Sequence, residues 1–207
     1  TYQEILKRYW GYDHFRGIQE EIIQSIGQGN DTLGLMPTGG GKSITFQVPA
    51  MAKEGLCLVI TPLIALMKDQ VRNLKDRGIK ALAIYSGMTR EEIVVALENC
   101  IFGDYKFLYI SPERLDTEIF QTKLRRMKVS MITVDESHCI SQWGYDFRPA
   151  YLKIADIRKM LPDVPVFITS KVFEVSPLSK TSTLVFSLML ASPRSNIISP
   201  EACSPAT

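Results

Sequence analysis

The chain has 207 residues, enough for one globular domain with its own hydrophobic core, and its 45% hydrophobic and 22% charged residues are the balance of a soluble globular protein. Its net charge of +2 permits a nucleic-acid partner but does not by itself indicate one. The four cysteines and two histidines lack a zinc-ligand pattern. The most apolar late run, residues 184–191, is far short of the ~20 residues that span a membrane. We therefore expect a cytoplasmic protein without a membrane partner.

Six short apolar runs are predicted to be β-strands. Each is nearly continuous in apolar residues rather than alternating, which is typical of strands that are buried on both faces of a parallel sheet. In chain order, these runs are residues 32–36, 56–60, 81–85, 107–110, 130–134 and 164–168.

Segments with helical spacing of apolar residues lie between these strands. Residues 18–26, 63–74 and 91–101 place their apolar side chains three or four positions apart. Strands that alternate with helices in this way predict a doubly wound α/β domain, with a mostly parallel sheet and helices on both faces.

A glycine-rich loop follows the first predicted strand. The segment 36–43 reads Met-Pro-Thr-Gly-Gly-Gly-Lys-Ser. Thr38 and the glycines Gly39, Gly40 and Gly41 are predicted to wrap around the phosphates of a nucleotide, whose oxygens the loop N–H groups and the following helix N-terminus would bind. Lys42 would neutralise phosphate charge, and the Ser43 hydroxyl would bind Mg²⁺. A glycine-rich turn with an incidental Lys-Ser pair is the alternative.

Two acids follow the fifth predicted strand. Asp135 and Glu136 come where that strand ends, which is the edge at which α/β folds bind ligands. Asp135 is predicted to hold Mg²⁺ through water, and Glu136 to orient and deprotonate the attacking water. An acid pair in a solvated turn is common, so this assignment depends on the phosphate loop.

The composition changes near Thr169. Residues 169–207 contain nine Ser, four Thr and four Pro, and their apolar residues show no periodicity. We divide the chain into a domain at 1–168 and a tail at 169–207, which we expect to be disordered or the product of a frameshift.

Residues 6–168 resemble the RecQ family of superfamily 2 DNA helicases. The family's DEAH box is similar to Asp-Glu-Ser-His at 135–138, in which His138 keeps its catalytic place and serine replaces alanine. The segment 11–19 resembles the family's adenine-recognition motif. The resemblance implies that Tyr12 and Arg16 sandwich the adenine and that Gln19 reads its edge.

Two further segments resemble family motifs that contact single-stranded DNA. The segment 61–70 begins at Thr61, whose hydroxyl is placed to meet a phosphate. The segment 138–149 resembles the aromatic-rich loop of RecQ enzymes, in which Trp143 and Phe147 offer faces for stacking bases and Arg148 can contact phosphate. A buried aromatic cluster is the alternative for this loop.

The resemblance implies an ATP-dependent 3′–5′ DNA helicase with a RecA-like P-loop ATPase domain, using ATP and Mg²⁺ on single-stranded DNA or a duplex with a 3′ overhang. The family's Thr-Ala-Thr motif is reduced here to Thr169, and we expect these 207 residues to lack the family's second RecA-like domain. We therefore expect the isolated polypeptide to lack unwinding activity. The alternatives are a truncated, non-catalytic fragment that binds ATP and DNA, and an RNA helicase of the same superfamily.

Overall fold

The computed structural model describes residues 1–37, 39–135, 148–170 and 193–200, with backbone alone for 148–152. Helices and strands alternate through most of it, as the apolar runs predict. The helices are α1 (Tyr2–Trp10), α2 (Gln19–Gly27), α3 (Lys42–Ala52), α4 (Ile64–Asp76), α5 (Arg90–Phe102), α6 (Glu118–Leu124) and α7 (Arg148–Met160), and a 3₁₀ turn spans Pro112–Arg114.

The strands form one seven-stranded sheet in the order β3-β4-β2-β5-β6-β1-β7. Every strand pairing within the described ranges is parallel. The strands are β1 (Asp31–Leu35), β2 (Leu56–Ile60), β3 (Ala81–Ile84), β4 (Phe107–Ile110), β5 (Val129–Val134), β6 (Val166–Ser170) and β7 (Ser195–Ile198).

The core lies on both faces of the sheet. Alternate residues of each strand point to opposite faces, so Leu58 and Ile132 pack on one side while Val59 and Met131 pack on the other. Helices α5, α6 and α7 cover the first face, and α2, α3 and α4 cover the second. This confirms the predicted α/β fold, and it explains why the central strands are continuous apolar runs.

The six predicted strands are confirmed, with ends that shift by up to two residues. β6 starts at Val166 rather than at 164 and continues to Ser170, two residues beyond the boundary that we set at 168. The strand β7 lies inside the predicted tail, pairs with β1 and buries Ile198, and we did not predict it. Residues 171–192 and 201–207 lie outside the described residues, so the domain boundary stays a prediction.

Two of the four cysteines lie in the described part of the chain. Cys57 and Cys100 are free thiols inside the core. Burial raises the pKa of each thiol to about 12, so both stay protonated at neutral pH. No helix among the described residues is long and apolar enough to cross a membrane.

Candidate nucleotide-binding site

The predicted phosphate loop and the predicted acid lie at the same edge of the sheet. β6 separates β1 from β5, and all three strands run in the same direction, so their carboxyl ends share that edge. Thr169 pairs with Gly34, and the N–H of Met36 donates to Ser170 O at 3.1 Å. Two strand spacings place the loop and Asp135 about 10 Å apart across the sheet. That width suits a ligand that contacts both.

The backbone of the loop has the geometry of an anion cradle. Gly39 has φ 78° and Gly41 has φ 70°, a left-handed conformation that other residues rarely adopt. Helix α3 begins at Lys42, and no side chain caps its N-terminus because Gly41 occupies the cap position. The first turn of α3 also contains no acidic residue. Its N–H groups therefore suit an anionic ligand, which the positive end of the helix dipole attracts.

Gln19 fastens the adenine-motif segment to this loop. Its Nε2 donates to Gly40 O at 3.1 Å and to Gly41 O at 3.2 Å, and its Oε1 accepts from the N–H of Arg16 at 2.8 Å. A Cβ added at Gly41 would lie 2.3 Å from Gln19 Nε2 and would push this amide off the loop, and the φ of 70° would strain any residue other than glycine. The Gln19 amide thus donates to the loop backbone, a contact that the sequence motif did not indicate.

Tyr12 and Arg16, the predicted adenine sandwich, lie against each other. The Arg16 guanidinium carbon is 5.5 Å from the centre of the Tyr12 ring, and Tyr12 is 47% exposed. A base between two flat groups needs about 7 Å between their planes, because each contact takes about 3.5 Å. Both side chains are exposed and lie against each other, so they have to move apart to admit an adenine between them.

Ser43 lies beside helix α4. Gln70 Nε2 donates to Ser43 Oγ at 3.1 Å. Lys42 precedes Ser43 at the start of α3, so both side chains extend from the first turn of the helix that the glycine loop enters. The structure thus brings together the predicted phosphate and metal ligands of the loop, and adds Gln70, which sequence reasoning missed.

Asp135 is buried at the end of β5. It is 5% exposed, and its Oδ1 accepts a hydrogen bond from Thr169 Oγ1 at 2.8 Å. Thr169 is the residue that we matched to the family's Thr-Ala-Thr motif. A hydroxyl donor stabilises the ionised carboxylate and fixes its orientation, which prepares it to face a cation.

Six other predicted site residues are less completely described. Thr38, Glu136, His138, Trp143 and Phe147 lie outside the described residues, and Arg148 opens α7 without a described side chain.

Thr61 follows β2 and is 1% exposed, and its hydroxyl has no hydrogen-bond partner among the described residues. A buried hydroxyl of this kind reaches a nucleic-acid phosphate only if its neighbours move.

The parallel sheet, with a glycine loop after β1 and a buried acid after β5, defines a RecA-like α/β domain. The chain belongs to the DEAD/DEAH box helicase family, which matches residues 16–187.

The chain is 44% identical over 165 residues to the probable ATP-dependent DNA helicase RecS of Bacillus subtilis, covering 79% of this chain and 33% of RecS. It is 45% identical over 166 residues to the ATP-dependent DNA helicase RecQ of Haemophilus influenzae, covering 80% and 27%. The resemblance to RecQ helicases is thereby confirmed. The chain spans about a third or less of the length of these relatives.

Solved structures agree on the fold. The helicase MrfA bound to DNA matches with a TM-score of 0.73 at 17% identity, covering 96% of this chain and 29% of that one. At this identity, the match speaks for the architecture alone.

Proposed function

We propose that this chain is the ATP-binding motor domain of a RecQ-type 3′–5′ DNA helicase, which binds ATP and Mg²⁺ at the loop after β1 and single-stranded DNA beside it. The observation that carries the proposal is the uncapped N-terminus of α3 behind a loop with two left-handed glycines, at the same sheet edge as Asp135. The polarity and the preference for a 3′ overhang follow from the RecQ resemblance.

Each residue of the loop edge has a role in this proposal. Lys42 neutralises charge on the phosphates, and Thr38, Gly39, Gly40 and Gly41 bind their oxygens through backbone N–H groups. Mg²⁺, when bound, withdraws charge from the phosphate oxygens during transfer.

The Ser43 hydroxyl and Asp135, which Thr169 orients, hold that ion. Glu136 takes the proton of the attacking water, and His138 completes the catalytic group after the family's pattern.

The adenine end of the nucleotide belongs at Tyr12, Arg16 and Gln19. Arg16 leaves the Tyr12 ring, and the base enters between them, which exchanges one cation–π contact for two stacking contacts. One lone pair of Gln19 Oε1 accepts from the Arg16 N–H, and the other can accept from the base edge. Gln19 Nε2 keeps its hydrogen bonds to the loop meanwhile. Gln19 would therefore both contact the adenine and hold the backbone of the phosphate loop in place.

Single-stranded DNA is proposed to run past the segment after Thr61 and the loop that contains Trp143, Phe147 and Arg148. No side chain caps the N-terminus of α4, since Leu63 occupies the cap position, so N–H groups of its first turn suit a DNA phosphate. Trp143 and Phe147 stack bases, and Arg148 binds phosphate.

Binding of labelled oligonucleotides tests the DNA preference. With a non-hydrolysable ATP analogue and Mg²⁺, we expect single-stranded DNA to bind more tightly than RNA of the same base sequence, as measured by fluorescence anisotropy. Trp143→Ala should weaken the DNA complex by roughly 5- to 150-fold, which corresponds to one lost stacking contact of about 1–3 kcal/mol. Equal affinity for both nucleic acids would favour the RNA helicase alternative, and binding of neither would contradict the proposal.

A further inference from the structure

A chain of four polar side chains connects the centre of the sheet with the phosphate loop. Gln47 Nε2 donates to Tyr109 Oη at 3.2 Å and to Gln70 Oε1 at 3.0 Å. Gln70 Nε2 donates in turn to Ser43 Oγ at 3.1 Å. This series of hydrogen bonds therefore joins β4, α3 and α4, and it ends on the Ser43 hydroxyl, which is proposed to bind Mg²⁺.

The inner half of this chain is fixed by burial. Tyr109 is fully buried and Gln47 is 3% exposed, so each loses hydration that only its hydrogen bonds replace. Burial raises the pKa of Tyr109 well above its ordinary value, which keeps the phenol neutral. Both N–H groups of the Gln47 amide are used, so its carboxamide has one favoured orientation, and Gln70 is oriented by it.

The last of these hydrogen bonds, from Gln70 to Ser43, determines which lone pair of the Ser43 hydroxyl is available to a cation. A hydroxyl oxygen has two acceptor lone pairs and one proton. The bond from Gln70 occupies one lone pair, which leaves the other lone pair for a cation and the proton for a phosphate oxygen. Without that bond the hydroxyl rotates among several orientations, and most of them aim no lone pair at the metal.

We propose that Gln70 is a positioning residue that orients the Ser43 hydroxyl for Mg²⁺ and makes this orientation depend on the position of helix α4. The inference rests on the proposed function, because it assumes that Ser43 binds the metal. In this proposal Gln70 acts on the metal only through its hydrogen bond to Ser43. Since α4 begins just after Thr61, a nucleic acid that shifts this helix changes the bond to Ser43.

The test measures how much Mg²⁺ improves nucleotide binding. The affinity of the full chain for a fluorescent ADP is measured with Mg²⁺ and with a chelator, for the wild type, Gln70→Leu and Gln70→Met. The methionine variant keeps the length and flexibility of the side chain in case leucine disturbs folding. Asn73→Leu is the matched control, because it removes an exposed amide from the same helix. Thermal melting verifies that each variant folds.

We expect both Gln70 variants to reduce the gain from Mg²⁺ by about fivefold, the usual effect of one hydrogen bond, with unchanged affinity in chelator. A single-stranded oligonucleotide should change the factor by which Mg²⁺ improves nucleotide affinity in the wild type, and it should leave this factor unchanged in the Gln70 variants. Asn73→Leu should behave as the wild type.

If the variants weaken binding equally with and without Mg²⁺, Gln70 only supports the packing of α4, and the inference is wrong. If the oligonucleotide leaves the effect of Mg²⁺ on the wild type unchanged, the proposed dependence of the Ser43 orientation on the position of α4 is wrong. A wild type that binds no nucleotide at all would instead refute the proposed function, and this inference with it.

Discussion

Replacement of Lys42 by alanine is expected to weaken the binding of Mg²⁺-nucleotide by about 10- to 150-fold. The ammonium group at the start of α3 would make charge-assisted hydrogen bonds to the phosphates, each with a strength of about 1.5–3 kcal/mol. The glycine loop and the helix N-terminus stay in place, so binding should weaken rather than vanish. Fluorescent-nucleotide titration or calorimetry measures the change directly.

Lys128→Ala is the control for this variant. Lys128 precedes β5 at the opposite edge of the sheet and pairs at the surface with Glu54 at 2.6 Å. Its loss removes the same charge from the protein without touching the loop, so nucleotide affinity should stay within a factor of two or so of the wild type, since screened surface charges act weakly at this distance. Equal losses in both variants would mean that net charge, rather than a loop contact, governs binding.

Asp31→Ala is expected to lower the free energy of unfolding by about 3–5 kcal/mol, the usual cost of removing one partner from a buried ion pair. Asp31 is 2% exposed at the start of β1, and its Oδ2 lies 2.9 Å from an Arg158 nitrogen. Its Oδ1 accepts from the N–H of Val166 at 2.8 Å. The variant leaves a cation and a backbone donor without their acceptor, a large loss for a domain stabilised by about 5–15 kcal/mol.

Urea unfolding measures this loss, and Glu54→Ala is its control. The pair between Lys128 and Glu54 is exposed, with 72% and 88% of the two side chains accessible, so its removal should change stability by less than about 1 kcal/mol. A similarly small change for Asp31→Ala would contradict the account of Asp31 as the junction of β1, β6 and α7.

The central strands of the sheet could be predicted because a strand that is buried on both faces needs apolar residues at consecutive positions. The run at 56–60 is apolar at each position, and β2 occupies the same five residues. β7 was not predicted because it forms no apolar run: three of its four residues are exposed, and only Ile198 is buried. An edge strand of this kind depends on its neighbour β1 rather than on its own composition.

The site was predictable where its chemistry is local in sequence. The glycine loop, Lys42 and Ser43 are consecutive, and Asp135 ends a strand. Contacts between distant residues were not predictable, since no spacing rule relates them.

Gln19 bonds to residues 21 and 22 positions away, and Gln70 bonds to Ser43 across 27 positions. The pair of Asp31 with Arg158 spans 127 positions. These side chains meet only because the parallel sheet stacks their strands and helices together.

Hydrogen exchange with and without ADP and Mg²⁺ tests most directly whether the phosphates rest on the loop after β1. We predict that the backbone amides of residues 36 and 38–44 exchange more slowly when the nucleotide is bound, while those of α5, on the other face of the sheet, keep their rates. Unchanged exchange in residues 36 and 38–44 at saturating nucleotide, or protection confined to another part of the chain, would contradict the proposed site.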